Sequence, residues 1–295
     1  MKRFGIIAHL KRPNIERTTR VIIDWLKSQG LTYWICKELA DVIGETEFVK
    51  PKKKLYEDID CVLSLGGDGT MLSSIRNVGH HGIPVFGINV GQLGFLTEIL
   101  AQDIPAALEK LKNDDFEIEE RMVLEAKILD SECGSYYALN DVVLDHGDST
   151  RLIKLDLYQL NASHEELFVC PYNADGLIIS TPTGSTAYNL AAGGPVLHPH
   201  LGAIIASPIC PHTLTLRPIL FDDRSCLEIK VALENIDVRM TVDGQVRCNL
   251  ESGTRVRVCK APHNIKLIRI KDYSFFEILR TKLHWGARPL TTNHD

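Results

Sequence analysis

The stretch from Cys61 to Thr70, Cys-Val-Leu-Ser-Leu-Gly-Gly-Asp-Gly-Thr, constrains the fold more than any other. Cys61 to Leu65 is apolar on both faces except at Ser64, which predicts a strand in a parallel sheet covered on both sides. Gly66 to Thr70 follows as a glycine-rich turn, and Met71 to Val78 reads as a helix. Strand, turn and helix N-terminus in this order place backbone N–H groups around phosphate. The glycines predict a backbone that approaches a ligand closely and takes up φ > 0. Asp68 is the odd member of the turn. A carboxylate beside phosphates is repelled unless it holds a metal ion or takes a proton from a nucleophile. The turn therefore points to phosphoryl transfer with an acid as base or metal anchor. The competing reading is a plain Gly-Gly-Asp-Gly turn.

A chain of 295 residues suits one large domain or two ordinary ones, and 44% hydrophobic content is enough for a sizeable core. A net charge of −5 leaves no sequence-wide basic field for nucleic acid or an anionic membrane. No stretch approaches the length of a membrane span. Lys2 and Arg3 precede the apolar run Phe4 to Leu10, but Lys11, Arg12 and Pro13 break it, so a buried first strand is expected in place of a targeting segment. The eight cysteines (Cys36, Cys61, Cys133, Cys170, Cys210, Cys226, Cys248 and Cys259) form no CxxC pair, and several sit in apolar runs. A reduced cytoplasmic protein without a disulfide framework is expected. His198 and His200 flank Pro199 with nothing nearby to complete a metal site, so both are expected in a loop.

Strands are predicted at Phe4 to His9, Leu31 to Cys36, Cys61 to Leu65 and Val85 to Asn89. Helices are predicted at Arg17 to Leu26, ended by Gly30, and at Met71 to Val78 and Ile104 to Leu111. Between them Glu38 to Tyr56 is polar. Its basic knot, Lys50 to Lys54, reads as a solvated surface loop, with a nucleotide phosphate as the alternative partner. Strands alternating with helices predict a parallel α/β sheet. Past Asn113-Asp114-Asp115 the period changes to two. Runs at Val123 to Leu129, Tyr136 to Leu144, Leu152 to Tyr158, Leu167 to Cys170, Cys226 to Val231, Val238 to Val242, Arg255 to Val258 and Ile265 to Ile270 predict a mostly β, sandwich-like domain. Tyr273 to Trp285 returns to helical spacing, with Phe275, Phe276, Leu279 and Leu283 as a stripe expected to pack on the first domain. Ala287 to Asp295 reads as a frayed tail. The expected organisation is an α/β domain over residues 1–115, joined by 271–295, and a mostly β domain over 116–270.

Asp175 to Pro195 is the second informative stretch. Gly176 to Ser180 is strand-like, Thr181 to Gly184 is a turn, and Ser185 or Thr186 can cap a helix running through Ala192 to Gly193-Gly194-Pro195. The hydroxyls of Ser180, Thr181, Thr183, Ser185 and Thr186 crowd that helix start, where they suit ribose and phosphate oxygens. Ala187, Ala191 and Ala192 leave room beside the helix, and Tyr188 offers a ring and a hydroxyl. An ordinary Ser/Thr-capped turn is the plainer reading.

Gly66 to Thr70 together with Asp175 to Pro195 closely resembles the NAD kinases. The resemblance extends to Asn89-Val90-Gly91-Gln92-Leu93-Gly94-Phe95-Leu96, to Asn140-Asp141-Val142-Val143, to the stretch from Pro211 to Pro218, and to Asp243-Gly244-Gln245. It implies transfer of the terminal phosphate of ATP, or of polyphosphate, to the adenosine 2′-hydroxyl of NAD. Asp68 matches the family's proton acceptor. Gly66, Gly67, Gly69 and Thr70 match the turn around the donor phosphates, and Asp68, Gly69 and Phe95 match positions toward the dinucleotide. Asn140 and Asp141 match a pair that contacts adenosine, and Arg151 a basic position near the dinucleotide phosphates. Asn173 and Asp175 match contacts toward the nicotinamide half. Thr186, Ala187, Tyr188, Asn189, Leu190 and Ala191 match the lining of the adenosine pocket, and Gln245 a further NAD contact. The chain departs from the family twice. Asp141 stands where the family usually has Glu, keeping the charge on a side chain one methylene shorter, and Asn173 is uncharged where some relatives carry Arg.

The chemistry asks for the same parts. A secondary hydroxyl is a poor nucleophile at neutral pH, and a carboxylate in reach can orient it and accept its proton. Positioning and charge neutralisation supply the rest. A divalent cation, Mg²⁺, is expected on the donor phosphates, and no Asp/Glu cluster forms a cage for it, in keeping with an ion that retains its waters. No P-loop and no GxGxxG is present, which leaves P-loop kinases and Rossmann dehydrogenases unsupported. One rival is a diacylglycerol-type lipid kinase sharing the Gly66 to Thr70 turn; the other is a non-catalytic NAD(P)-binding sensor, against which Asp68 argues. The resemblance implies a homodimer or homotetramer. No nucleic-acid or membrane partner is expected.

Overall fold

A computed structural model describes residues 1–51, 54–91, 94–97, 99–129, 131, 134–147, 149, 151–161, 163, 165–232, 237–270 and 274–286. Lys52 and Lys53 of the basic knot, Gln92, Leu93, Cys133, Tyr273 and the tail from Ala287 lie outside the described residues. In chain order the elements begin β1 (Arg3–Ala8), α1 (Ile15–Ser28), β2 (Thr32–Ile35), α2 (Lys37–Ile43), β3 (Cys61–Gly66), α3 (Asp68–Val78), β4 (Val85–Asn89), β5 (Ile99–Leu100), α4 (Ile104–Lys112) and β6 (Glu117–Arg121). They continue with β7 (Leu124–Ile128), β8 (Tyr136–Ala138), β9 (Asp141–Asp145), β10 (Ile153–Leu160), β11 (Glu166–Ala174), β12 (Gly176–Ser180), α5 (Tyr188–Ala191), β13 (Ala203–Ile209) and β14 (Ile219–Asp222). The last are β15 (Cys226–Val231), β16 (Val238–Val242), β17 (Val246–Leu250), β18 (Arg255–Lys260), β19 (Ile265–Arg269) and α6 (Phe275–Leu283).

Packing divides the chain into two units, one of residues 1–74, 83–119 and the chain from Lys266, the other of residues 75–82 and 120–265. The first unit is built on a seven-stranded sheet of order β2-β1-β3-β4-β19-β6, with β5 beside β4. β1, β2, β3 and β4 run parallel. All six residues of β3 are buried, as a doubly covered parallel strand requires. Its one polar side chain, Ser64, is satisfied by the buried Ser74 hydroxyl at 2.8 Å. α1 turns Ile15, Ile22, Ile23 and Leu26 inward at helical spacing. Together with Phe4, Ile6, Leu63, Leu65, Phe86 and Leu108 they form one core.

Several expectations are corrected here. The segment from Glu38 to Tyr56, polar in sequence, carries an additional helix, in which Leu39, Ala40 and Ile43 form the buried face of the two-turn α2, stopped by Gly44 at φ 70°. Lys50 of the basic knot lies over the Trp34 ring, 4.3 Å from its centroid, and its ammonium donates to Glu57 O at 3.0 Å. α3 starts at Asp68 and not at Met71, since the N–H groups of Thr70 and Met71 already bond to Gly67 O. β19 does not belong to the β domain. It pairs in parallel with β4, Leu267 opposite Val85. In α6 the buried residues are Ile278 and Leu279, while Phe276 and Leu283 of the expected stripe are exposed.

The second unit is a sandwich of two six-stranded sheets, β11-β10-β15-β18-β7-β8 and β14-β13-β12-β9-β16-β17. Alternate residues of both sheets meet in one core: Leu155 and Leu157, Leu227 and Ile229, Val256 and Val258 from the first, Val142 and Leu144, Leu177 and Ile179, Ile204 and Ala206 from the second. The run Tyr136 to Leu144 is two strands, not one. β8 pairs with β7 in one sheet and β9 with β12 and β16 in the other, so the chain changes sheets at Leu139-Asn140. Cys226 and Cys259, on the neighbouring strands β15 and β18, lie side by side with Cα atoms 4.4 Å apart. Sequence spacing hides this pair because 33 residues separate partners that the sheet sets side by side.

Candidate active site

In the first unit the site forms where β3 gives way to α3. Asp68 occupies the first turn of α3, where a carboxylate complements the helix dipole. Its position is set from the loop after β4. The N–H of Phe95 donates to Asp68 Oδ2 at 2.8 Å and the N–H of Leu96 to Oδ1 at 3.0 Å. Thr97 Oγ1 lies 3.5 Å from Oδ1. Thr97 is itself held by the buried Asn89, whose Nδ2 donates to Thr97 Oγ1 at 2.8 Å while its Oδ1 accepts from the N–H of Gly91 at 2.7 Å. The loop is therefore braced at both ends before it grips Asp68.

The glycines serve this packing. A Cβ at Gly94 would fall on the Asp68 carboxylate, and one at Gly66 on the Thr70 side chain. Left-handed backbone is not their reason here: Gly66, Gly67 and Gly69 are absent from the positive-φ residues, contrary to the expectation from sequence. Arg12 completes the neighbourhood. His9, just past β1, donates its N–H to Leu65 O at 3.0 Å, which brings the following segment beside the end of β3. The Arg12 guanidinium lies 3.6 Å from the Cβ position of Gly67 and 4.0 Å from that of Gly91. It is exposed and makes no ion pair among the described residues. Sequence reading missed it, although the carboxyl end of a parallel strand is where open α/β sheets bind ligands.

In the second unit the crossing at Leu139-Asn140-Asp141 is a hub. Its N–H groups are taken by one buried carboxylate: Asp243 Oδ2 accepts from Leu139, and Oδ1 from Asn140 at 2.7 Å and Asp141 at 3.2 Å. Its carbonyls hold the hydroxyl-rich loop. Thr181 N and Ser180 Oγ donate to Asn140 O, and Thr181 Oγ1 donates to Leu139 O. Gly184 packs so closely that a Cβ would fall on Asn140 O. Arg121, buried at the end of β6, donates from Nη1 to Thr183 Oγ1 at 3.1 Å. Sequence reading missed Arg121, and it quoted Asp243 without assigning it a part.

Most of these hydroxyls are turned inward to the loop's own backbone. Ser180, Thr181, Thr183 and Ser185 are buried, Ser185 Oγ bonds to Pro182 O and accepts from Leu197 N, and Thr186 Oγ1 donates to Thr183 O. No helix runs through to Ala192 with Ser185 or Thr186 as its cap. A 3₁₀ turn at Thr183–Thr186 is followed, after Ala187, by the four-residue α5. Asn189 braces the same loop. Its side chain is fully buried, with Nδ2 donating to Ser185 O and Pro195 O and Oδ1 accepting from Ser207 Oγ. These bonds make it a bracket of the loop.

Beside the hub lies a concave pocket of about 330 Å³, whose wall includes Asn140, Asp141, Ala187, Tyr188, Asp243 and Arg239. Burial first, and then the neighbouring Asp243 charge, push the Asp141 carboxyl up to about 7. Burial raises Asp243 too, against its three N–H partners and Arg76. Of the other expected residues, Arg151, Asn173, Asp175, Thr186, Leu190, Ala191 and Gln245 are not part of this wall. Asn173 lies on β11, where its carbonyl accepts from His212 N, and Asp175 joins β11 to β12. Gln245 Oε1 accepts from Arg76 Nη2. Arg151 is exposed.

Comparison with known proteins gives the family. The model of the ATP-NAD kinase N-terminal domain matches residues 4–116, and that of the ATP-NAD kinase C-terminal domain residues 139–270. An NAD kinase of Syntrophotalea carbinolica is 40% identical over 290 residues, covering 98% of this chain and all of that protein. Two solved structures share the fold. Yeast NADH kinase complexed with NADH aligns with a TM-score of 0.90 at 24% identity, covering 99% of this chain and 90% of its own. An NAD kinase from Archaeoglobus fulgidus in complex with ATP aligns at 0.74 and 22% identity, covering 96% and 98%. The chain belongs to the ATP-NAD kinase family.

Proposed function

We propose that Asp68 is the general base in transfer of the terminal phosphate of ATP to the adenosine 2′-hydroxyl of NAD, giving NADP. The observation that carries the reading is the grip of Phe95 and Leu96 on the Asp68 carboxylate. Two N–H groups fix its plane, and a carboxylate has roughly four acceptor sites, so lone pairs remain for the substrate hydroxyl. As the 2′-oxygen forms its bond to the terminal phosphorus, Asp68 accepts the hydroxyl proton. The bond from that phosphorus to the bridging oxygen breaks, and ADP leaves with the electron pair. A positioned base of this kind contributes roughly 10²–10⁴ in rate.

Arg12, beside Gly67 and Gly91, supplies positive charge to the donor phosphates, around which Gly66, Gly67, Gly69 and Thr70 form the turn. The donor brings a divalent cation, Mg²⁺ in our reading, whose chemistry is to neutralise phosphate charge. Asp68 is the carboxylate at the turn, and among the described residues no group of three or more His, Cys, Asp or Glu gathers to hold a metal. That donor set fits an ion carried chiefly on phosphate and water. Adenosine is assigned to the pocket beside the hub, with Asn140 and Asp141 toward the ribose and Tyr188 toward the base. The polar wall speaks for a dinucleotide over a diacylglycerol.

Arg151, Asn173, Asp175 and Gln245 are kept as contacts to the rest of NAD on the family resemblance. The enzyme is read as a cytoplasmic homodimer or homotetramer. Exposed Leu167 and Phe168 on the edge strand β11 support an oligomer. Among the described residues no helix is long and apolar enough to cross a membrane. The purified protein with NAD, ATP and Mg²⁺ is expected to make NADP, followed by an NADP-specific dehydrogenase. No NADP from either ATP or polyphosphate would overturn the reading.

A further inference from the structure

We propose that Asp243 is a positioning residue of the acceptor pocket, fixing the Leu139–Asp141 crossing through its carboxylate and standing as the like charge that Asp141 faces. The inference rests on the proposed assignment of adenosine to that pocket. Asp243 clamps the crossing from both sides. Its carboxylate accepts the N–H groups of Leu139, Asn140 and Asp141, and its own N–H donates to Asp141 O at 2.9 Å. Four bonds from one residue determine where the Asn140 and Asp141 side chains begin. Asp243 holds the left-handed backbone, φ 50°, that lets side chain and N–H reach the same three residues. Asp243 as a whole is 8% exposed, so the bonds are shielded from water.

The second consequence is electrostatic. Asp141 lies on β9, opposite Ser180 of β12, and neither brings it a cation. On β16, Arg239 pairs with Asp145 at 3.2 Å. Arg247 of β17 and Tyr188 of α5 edge the pocket, and Arg76 of α3 faces Asp243. The charged group that acts on Asp141 is Asp243, in addition to burial. An ionised Asp141 accepts hydrogen bonds from ribose hydroxyls, whereas a protonated one loses part of that capacity. NAD binding therefore weakens as the pH falls through about 7, where Asp141 takes up its proton. The drop is at most about tenfold per pH unit below the midpoint and levels off at the affinity of the protonated form.

The test is NAD binding by calorimetry, without donor, between pH 5.5 and 8.5, on the full chain and two variants. The unaltered protein is expected to show the midpoint. Asp243→Asn keeps Oδ1 as an acceptor but removes the like charge, and its midpoint is expected to move to lower pH by roughly one unit. Asp141→Asn is expected to bind more weakly with no midpoint, which decides the matter if Asp243→Asn fails to fold. A uniform loss of affinity in Asp243→Asn with an unmoved midpoint, or a midpoint that survives in Asp141→Asn, overturns the inference. Failure to form NADP with intact pH-dependent binding would instead overturn the reaction.

Discussion

Gly94→Ala puts a single methyl group against the proposed base. The new Cβ would fall on Asp68 Oδ1 and lie 2.7 Å from Thr97 Oγ1. The carboxylate must swing away or the loop must lift, and either movement breaks at least one of the N–H bonds from Phe95 and Leu96. A hydrogen bond to a charged group is worth about 1.5–3 kcal/mol. Overpacking adds about 1–3 kcal/mol. A destabilisation of roughly 2.5–6 kcal/mol is expected from the sum. Turnover suffers separately, because a misplacement of about 1 Å costs on the order of 100-fold. Gly91→Ala is the control. Its Cβ would meet nothing closer than 3.8 Å, and Gly91 is absent from the positive-φ residues. The assay is kcat and KM in the coupled NADP reaction, beside urea unfolding of both variants. Gly94→Ala at the wild-type rate, or Gly91→Ala equally impaired, would refute the claim that the loop positions Asp68.

Arg12→Ala is expected to raise KM for ATP about tenfold, the worth of one charge-assisted contact of about 1.4 kcal/mol, and to leave NAD binding unchanged. Steady-state kinetics with each substrate varied checks this. Asn189→Ala removes an amide that bonds to Ser185, Pro195 and Ser207 in a fully buried site, and a loss of about 2–4 kcal/mol is expected in urea unfolding. The Asp141 carboxyl, held at about 7 when folded, binds its proton more tightly in the folded than in the unfolded chain. That contribution to stability is complete below the unfolded carboxylate value of about 3.9 and is lost as pH rises through 7, by up to roughly 4 kcal/mol. Asp141→Asn should flatten that fall in unfolding experiments at pH 5 and pH 8.

The parallel sheet was legible because β3 and β4 are apolar on both faces, a pattern few other elements share. The sandwich was legible from period-2 runs, but its seams were not. Nothing in Tyr136 to Leu144 marks the change of sheet at Leu139-Asn140, since the carboxylate that stabilises it, Asp243, comes about a hundred residues later. β19 reads like the strands before it and is claimed by the other unit through its pairing with β4. At the site, Asp68 stood out because an acid among glycines has few uses. The hydroxyls of Ser180 to Thr186 suggested ligand contacts by their density, yet tertiary packing uses them to fasten the loop to Leu139 and Asn140. Arg12 was invisible for the opposite reason: a basic residue after the first strand becomes informative only when β1 and β3 are known to be neighbours.

Asp68→Asn tests the central claim most directly. Asn keeps an oxygen for one of the two N–H groups and nearly the same shape, but it cannot accept the hydroxyl proton. Single-turnover formation of NADP should fall roughly 10²–10⁴-fold while NAD affinity, measured by calorimetry, stays close to that of the unaltered enzyme. Wild-type turnover in Asp68→Asn would contradict the account.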